Sequence, residues 1–137
     1  MKKATILFAA LIFTACATGN YSPTYRFNQL MVHNLTGGTI NNVNVVVLGA
    51  EPSNACPEVN FNAVCDNRFG SRTLPQQGIE LSWDHTDGSR RTETFNPPVP
   101  TYFNTPFPLR VVMEIDADGN VNPFYEQDEP RGGGYIN

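Results

Sequence analysis

The sequence predicts an all-β domain, a sandwich of about seven antiparallel strands. Three observations carry this. After residue 16 no apolar run repeats at the helical period; apolar and polar residues instead alternate in short stretches; and clusters of Gly, Pro, Asn and Asp separate those stretches at the spacing of successive strands and turns. That spacing suits two packed sheets or a barrel, and the sandwich is the better reading.

Asn28 to Asn34 reads as the first strand, Thr36-Gly37-Gly38 as a turn, and Ile40 to Leu48 as its hairpin partner. Val43, Val45 and Val47 alternate with Asn42, Asn44 and Val46, which makes one face apolar while the other begins polar. The stretch from Gly49 to Asn67 shows little alternation and is expected to be a long loop holding Cys56 and Cys65. A short strand near Phe69 to Leu74 follows, then a turn at Pro75-Gln76-Gln77-Gly78. Ile79, Leu81 and Trp83 alternate with Glu80 and Ser82, placing three large apolar groups on one side. Asp87-Gly88 marks a hairpin, because glycine accepts the positive φ that tight turns require, and Arg90 to Phe95 returns.

Asn96 to Pro108 cannot be a ladder strand, since five prolines interrupt it. Its rings, Tyr102, Phe103 and Phe107, must either be tucked down or face a partner. Leu109 to Asp116, a turn at Asp118-Gly119-Asn120, and Val121 to Glu126 complete the domain. The organisation is therefore a leader over 1–15, a tether over 16–25, a β-sandwich over 26–126 and a flexible tail over 127–137, whose Gly132-Gly133-Gly134 run opposes order. The hairpin order and the lone Trp83 resemble immunoglobulin-like or transthyretin-like sandwiches. A true immunoglobulin domain bridges its sheets with a widely spaced cysteine pair, and Cys56 and Cys65 stand too close for that.

The first sixteen residues carry a second resemblance. Lys2 and Lys3 precede an apolar run from Ala4 to Phe13, too short to span a bilayer, which abuts Phe13-Thr14-Ala15-Cys16 without a polar spacer. This resembles the lipobox of bacterial lipoproteins, with Phe13 where Leu is usual. The resemblance implies cleavage before Cys16 and acylation of its thiol. Ala17, in place of an Asp, implies sorting to the outer membrane. Ala15-Cys16-Ala17 also reads as an ordinary small-x-small secretory site cut after Ala17. With Cys16 acylated, Cys56 and Cys65 remain as an even pair, expected to form a disulfide in an oxidising compartment.

Loss of residues 1–15 leaves 122 of the 137 residues, one domain's worth, and moves the formal charge from −4 to −6, because the only lysines leave with the leader. Nucleic acid is excluded as a partner, since a polyanion binder needs clustered cations and only Arg90-Arg91 are adjacent. No Gly-x-Ser-x-Gly elbow occurs. His33 flanks an apolar strand, and His85 stands with Asp84 and Asp87 at a hairpin tip, so both read as structural and no catalytic residue is assigned. Asp116-Ala117-Asp118-Gly119-Asn120 has the composition of a calcium loop but not its register, and reads as a turn; no metal or cofactor is expected. Asn34-Leu35-Thr36 matches a glycosylation sequon, a chance match behind an export signal of bacterial type.

The function expected from these features is non-enzymatic: a lipid-anchored envelope protein whose sandwich is a structural or adapter module for another envelope protein, met through Tyr102, Phe103 and Phe107. The alternative is a carbohydrate-binding or surface-display module using exposed rings. A hydrolase relying on two of Glu80, Glu93 and Glu114 ranks last.

Overall fold

The computed structural model describes residues 25–127 apart from 51–52, 75–76 and 104–105; Cys16, its leader, the tether up to residue 24 and the tail from 128 lie outside the described residues. Eight strands follow in order: β1 (Phe27–Asn34), β2 (Ile40–Val47), β3 (Ser53–Val59), β4 (Val64–Arg72), β5 (Ile79–Asp84), β6 (Arg90–Phe95), β7 (Leu109–Ile115) and β8 (Val121–Gln127). They form two four-stranded sheets, a first in the order β4-β1-β7-β8 and a second in the order β3-β2-β5-β6. The all-β sandwich expected from the pattern is thus present, and its strand grouping is not that of an immunoglobulin domain. An immunoglobulin domain would group its first strand with its second and fifth.

Several expectations are corrected. There are eight strands rather than about seven, because the supposed loop from Gly49 to Asn67 contains β3 and the start of β4. Alternation is invisible in β3 because, apart from Val59, its inward positions carry Asn54 and Cys56 rather than large apolar groups, and Pro57 is tolerable only because β3 ends its sheet. The sandwich is not wholly antiparallel, since β1 and β7 pair in parallel, Val32 lying opposite Met113. Nor are β1 and β2 a hairpin, because they belong to different sheets and the chain turns a corner between them.

That corner is built on Asn34, which is fully buried. Its amide donates to Gly38 O (2.8 Å) and Val59 O (2.8 Å), and its Oδ1 accepts from Thr36 N (3.0 Å) and Thr36 Oγ1 (2.7 Å). With both ends of the amide committed, the sequon asparagine offers no accessible nitrogen.

Leu30 and Val32 from β1, Val43, Val45 and Val47 from β2, Leu81 and Trp83 from β5, and Val111, Met113 and Ile115 from β7 fill the space between the sheets. Ile40 and Val43 are three residues apart and both buried, which a regular strand forbids. A bulge resolves this: Asn42 takes φ +48, and the register against β5 slips between Asn41 and Asn44. Side chains outside the sheet key the bulge in place. Asn42 Nδ2 donates to Asp84 Oδ2 (2.6 Å), and Arg90 donates to Asn42 O (2.9 Å), Asp84 Oδ1 (3.1 Å) and Ser82 Oγ (2.8 Å).

Cys56 and Cys65 are bonded, with an S–S distance of 2.02 Å. The bridge ties β3 of the second sheet to β4 of the first, closing one side of the sandwich where neither strand brings large apolar groups. Replacing both cysteines by serine should lower stability by about 2 to 3 kcal/mol through the restored loop entropy of the unfolded chain. Urea titration of the two proteins checks this, and coincident midpoints would contradict it.

Three turn carboxylates make the fold acid-sensitive. Asp84 is held below its ordinary pKa first by the bond from Asn42 and then by Arg90. Asp87 is lowered by the Ser89 hydroxyl and backbone N–H, and Asp116 by the backbone N–H and amide of Asn120. Each folded-state pKa lies below the unfolded one, so the stabilisation is complete above the ordinary carboxylate range and is lost as pH falls through the depressed values. Thermal midpoints should be level near neutrality and decline below about pH 4. A profile with Asp116→Asn should decline less steeply; an unchanged slope would remove that carboxylate from the account.

Candidate functional site

The segment joining β6 to β7, residues 96–108, leaves the second sheet and enters the first, and so must cross one open end of the sandwich. Its prolines have no N–H to leave unpaired and hold their own φ near −65°. Two tyrosine hydroxyls pin it from below: Tyr125 donates to Pro97 O (2.7 Å) and Tyr25 to Pro100 O (3.2 Å). Burial raises the pKa of the Tyr125 phenol, in keeping with a hydroxyl whose role is to donate. The backbone N–H of Phe103 closes a turn onto Pro100 O at 3.5 Å, and Gln127 Nε2 donates to Phe107 O at 3.4 Å. A partly open pocket of about 240 Å³ lies between the segment and the strands, lined by Phe27, Val47, Ile79 and Val111 of the strands and by Asn96, Pro97 and Val99 of the segment. Tyr25, read from the sequence as the end of a tether, in fact packs against the core.

The three rings singled out in this segment are treated differently. Tyr102 is 80% exposed. Phe103 is half-buried against the core, its ring centroid 4.7 Å from that of Tyr102 and inclined at 46°. Phe107 is half-buried and, among the described residues, makes no ring contact with the other two. One ring is thus presented to solvent, with a second bracing it from beneath.

The other candidates are separated in space. His33 sits on the outer face of the first sheet, its Nε2 3.0 Å from Asn62 Oδ1 and its Nδ1 3.6 Å from Glu114 Oε1. His85 is buried, and its Nδ1 accepts from Trp83 Nε1 at 3.3 Å, which places the remaining ring proton of the neutral form on Nε2. Asp116 Oδ1 accepts from the backbone N–H groups of Asp118 and Asn120, both at 2.9 Å, and Asn120 Nδ2 reaches Oδ2 at 3.2 Å. The carboxylate therefore closes its own turn. Among the described residues no three His, Cys, Asp or Glu side chains come together in a way that could hold a metal ion. Glu80 and Glu114 lie on opposite outer faces of the sandwich, and Glu93 pairs with Leu81 at the edge of the second sheet, so these carboxylates do not converge.

Two contacts escaped the sequence reading. One is the Asn42–Asp84–Arg90 cluster just described. The other is Arg91, whose Nη1 donates to Asp118 O at 3.0 Å, lashing the β5–β6 hairpin of the second sheet to the β7–β8 turn of the first. Gly119, at φ +83, lies directly under that guanidinium, and a Cβ there would collide with it. No sequence signal links Arg91 to Gly119, because the two turns meet only after both sheets have stacked.

No family profile matches the chain, and no curated protein matches it. Among solved structures it is similar to an NMR structure of a protein from Eubacterium rectale, with 17% identity over 81% of this chain and 98% of the other and a TM-score of 0.48.

Proposed function

We propose that this chain is a lipid-anchored protein of the bacterial outer membrane, held by an acylated Cys16, whose β-sandwich serves without catalysis as a structural or adapter module for another envelope protein. The observation that supports this most is the exposed Tyr102 ring on a segment already fixed at both ends of its first half by Tyr125 and Tyr25. A contact surface ordered before binding loses little conformational entropy on association, and tyrosine is among the residues that anchor protein interfaces. Phe103 turns inward at 46° to Tyr102, so a sugar would find a platform only one ring wide.

A photo-crosslinking residue at position 102, introduced in intact cells, is expected to yield a discrete adduct with an envelope protein. The same probe at Thr94, on the outer face of the second sheet, is expected to yield none. Cys16→Ser should shift the protein out of the membrane fraction. Absence of any protein adduct, together with glycan binding abolished by Tyr102→Ala, would replace the adapter reading by the carbohydrate-binding one.

A further inference from the structure

The proline–aromatic segment and the start of β1 lie at the same end of the sandwich. β1 begins at Phe27 beside Leu109, the first residue of β7, and Tyr25 just before it donates its hydroxyl to Pro100 O at 3.2 Å. The β5–β6 and β7–β8 turns close the opposite end, which strands of 7 and 8 residues place about 25 Å away. The two ends differ in charge. The turn end gathers Asp84, Asp87, Asp116 and Asp118 against Arg90 and Arg91. At the segment end Arg26 and Arg72 are exposed beside the first sheet and bonded to uncharged groups: Arg26 to the hydroxyl and carbonyl of Ser71, and Arg72 to Gly70 O at 3.3 Å with its guanidinium over the Phe69 ring. Glu126, one residue from the end of β8, is already paired with Arg110 at 2.7 Å, and Glu80 and Glu93 stand on the second sheet. Among the described residues, then, the charge of Arg26 and Arg72 is not neutralised on the first sheet.

We infer that the segment end of the sandwich rests on the bilayer, with Arg26 and Arg72 against lipid phosphates and the acidic turn end held away. This rests on the acylated Cys16 proposed above. Fully extended, the chain from Cys16 to Tyr25 spans at most about 30 Å. Turned over, the sandwich would lift Tyr25 about 25 Å off the lipid and draw that chain almost straight, at a cost in conformational entropy that the upright placement avoids. Electrostatics point the same way. A surface of negative phosphates repels the four carboxylates of one end and attracts the two uncompensated guanidinium groups of the other. The negative net charge of the domain does not oppose this, because the anchor supplies the attachment and the charge polarity only selects which end approaches. Tyr102 is then carried at the height of the headgroups, so the envelope protein it meets presents its contact face at the bilayer surface.

Energy transfer from the protein to the bilayer tests this. The acylated chain is reconstituted on vesicles of phosphatidylethanolamine and phosphatidylglycerol carrying a headgroup acceptor dye, with a fluorescent residue replacing Tyr102 in one protein and Ala117, in the β7–β8 turn, in another. The donor at 102 should lie nearer the acceptor plane by about 20 Å. Arg26→Glu combined with Arg72→Glu should reduce transfer from 102 by about twofold, and near-UV circular dichroism would establish that this variant is folded. With the chain bound to vesicles, equal transfer from the two positions, greater transfer from 117, or undiminished transfer in the folded charge variant overturns the inference and leaves the anchor standing. Absence of transfer from both positions, with the chain left in the supernatant, overturns the anchor and the inference with it.

Discussion

Trp83→Ala should lower the free energy of unfolding by about 3–5 kcal/mol, the largest effect expected of any single substitution here. The ring is fully buried on β5, an inner strand of the second sheet, in the core cluster that also holds Ile79, Leu81, Val43, Val45 and Val47. Removing it discards the transfer energy of an indole and leaves a cavity that two stacked sheets cannot collapse to fill. It also strips His85 Nδ1 of its donor in a buried place. Trp83→Phe separates these effects, since it keeps most of the volume and loses only the N–H; its cost should be less than half as large. Urea unfolding followed by far-UV circular dichroism measures both. If the alanine variant lost under about 1 kcal/mol, the ring could not be the centre of a close-packed core.

Asn34→Ala comes next, at about 3 to 4 kcal/mol. A single amide there serves four partners, and its loss removes the bonds it makes to Val59 O and Thr36 N, which are buried, and one of the two that Gly38 O accepts. Most of this loss comes from the groups left behind, because an unpaired buried polar group costs far more than a formed hydrogen bond contributes. Asn34→Asp is the informative companion. It keeps the acceptor for Thr36 and sets a carboxylate against two carbonyl oxygens, so it should be at least as harmful as alanine. An Asn34→Asp protein as stable as wild type would show that the corner is held by something other than this amide.

Elements with strong alternation were legible from the sequence. Val43, Val45 and Val47 point inward as their spacing requires, Ile79, Leu81 and Trp83 do the same, and Asp87-Gly88 turns the chain with Gly88 at φ +82. The pairing of Cys56 with Cys65 is expected once Cys16 is set aside for acylation, and the two are bonded. β3 was missed because an edge strand braced by a disulfide needs few apolar groups, and so writes no period into its residues. The three rings of the proline–aromatic segment divide, Phe103 and Phe107 being half-buried and Tyr102 exposed. Which of them faces solvent depends on where Tyr25 and Tyr125 catch the backbone, and residues 75 and 28 positions distant leave no mark on local composition.

What the sequence determined by itself is the buried face of the strands that alternate, such as Val43 to Val47 and Ile79 to Trp83, since alternation at period two states which side is buried whatever lies alongside. What only the tertiary structure decided is the neighbour of each strand: β1 beside β7 in parallel, β1 and β2 in different sheets, Arg91 over Gly119. The reason is physical. A side-chain pattern reports the burial of one residue, whereas strand order is a choice among pairings that bury the same residues, and it is made by corners, bulges and side closures such as Asn34, Asn42 and the Cys56–Cys65 bridge.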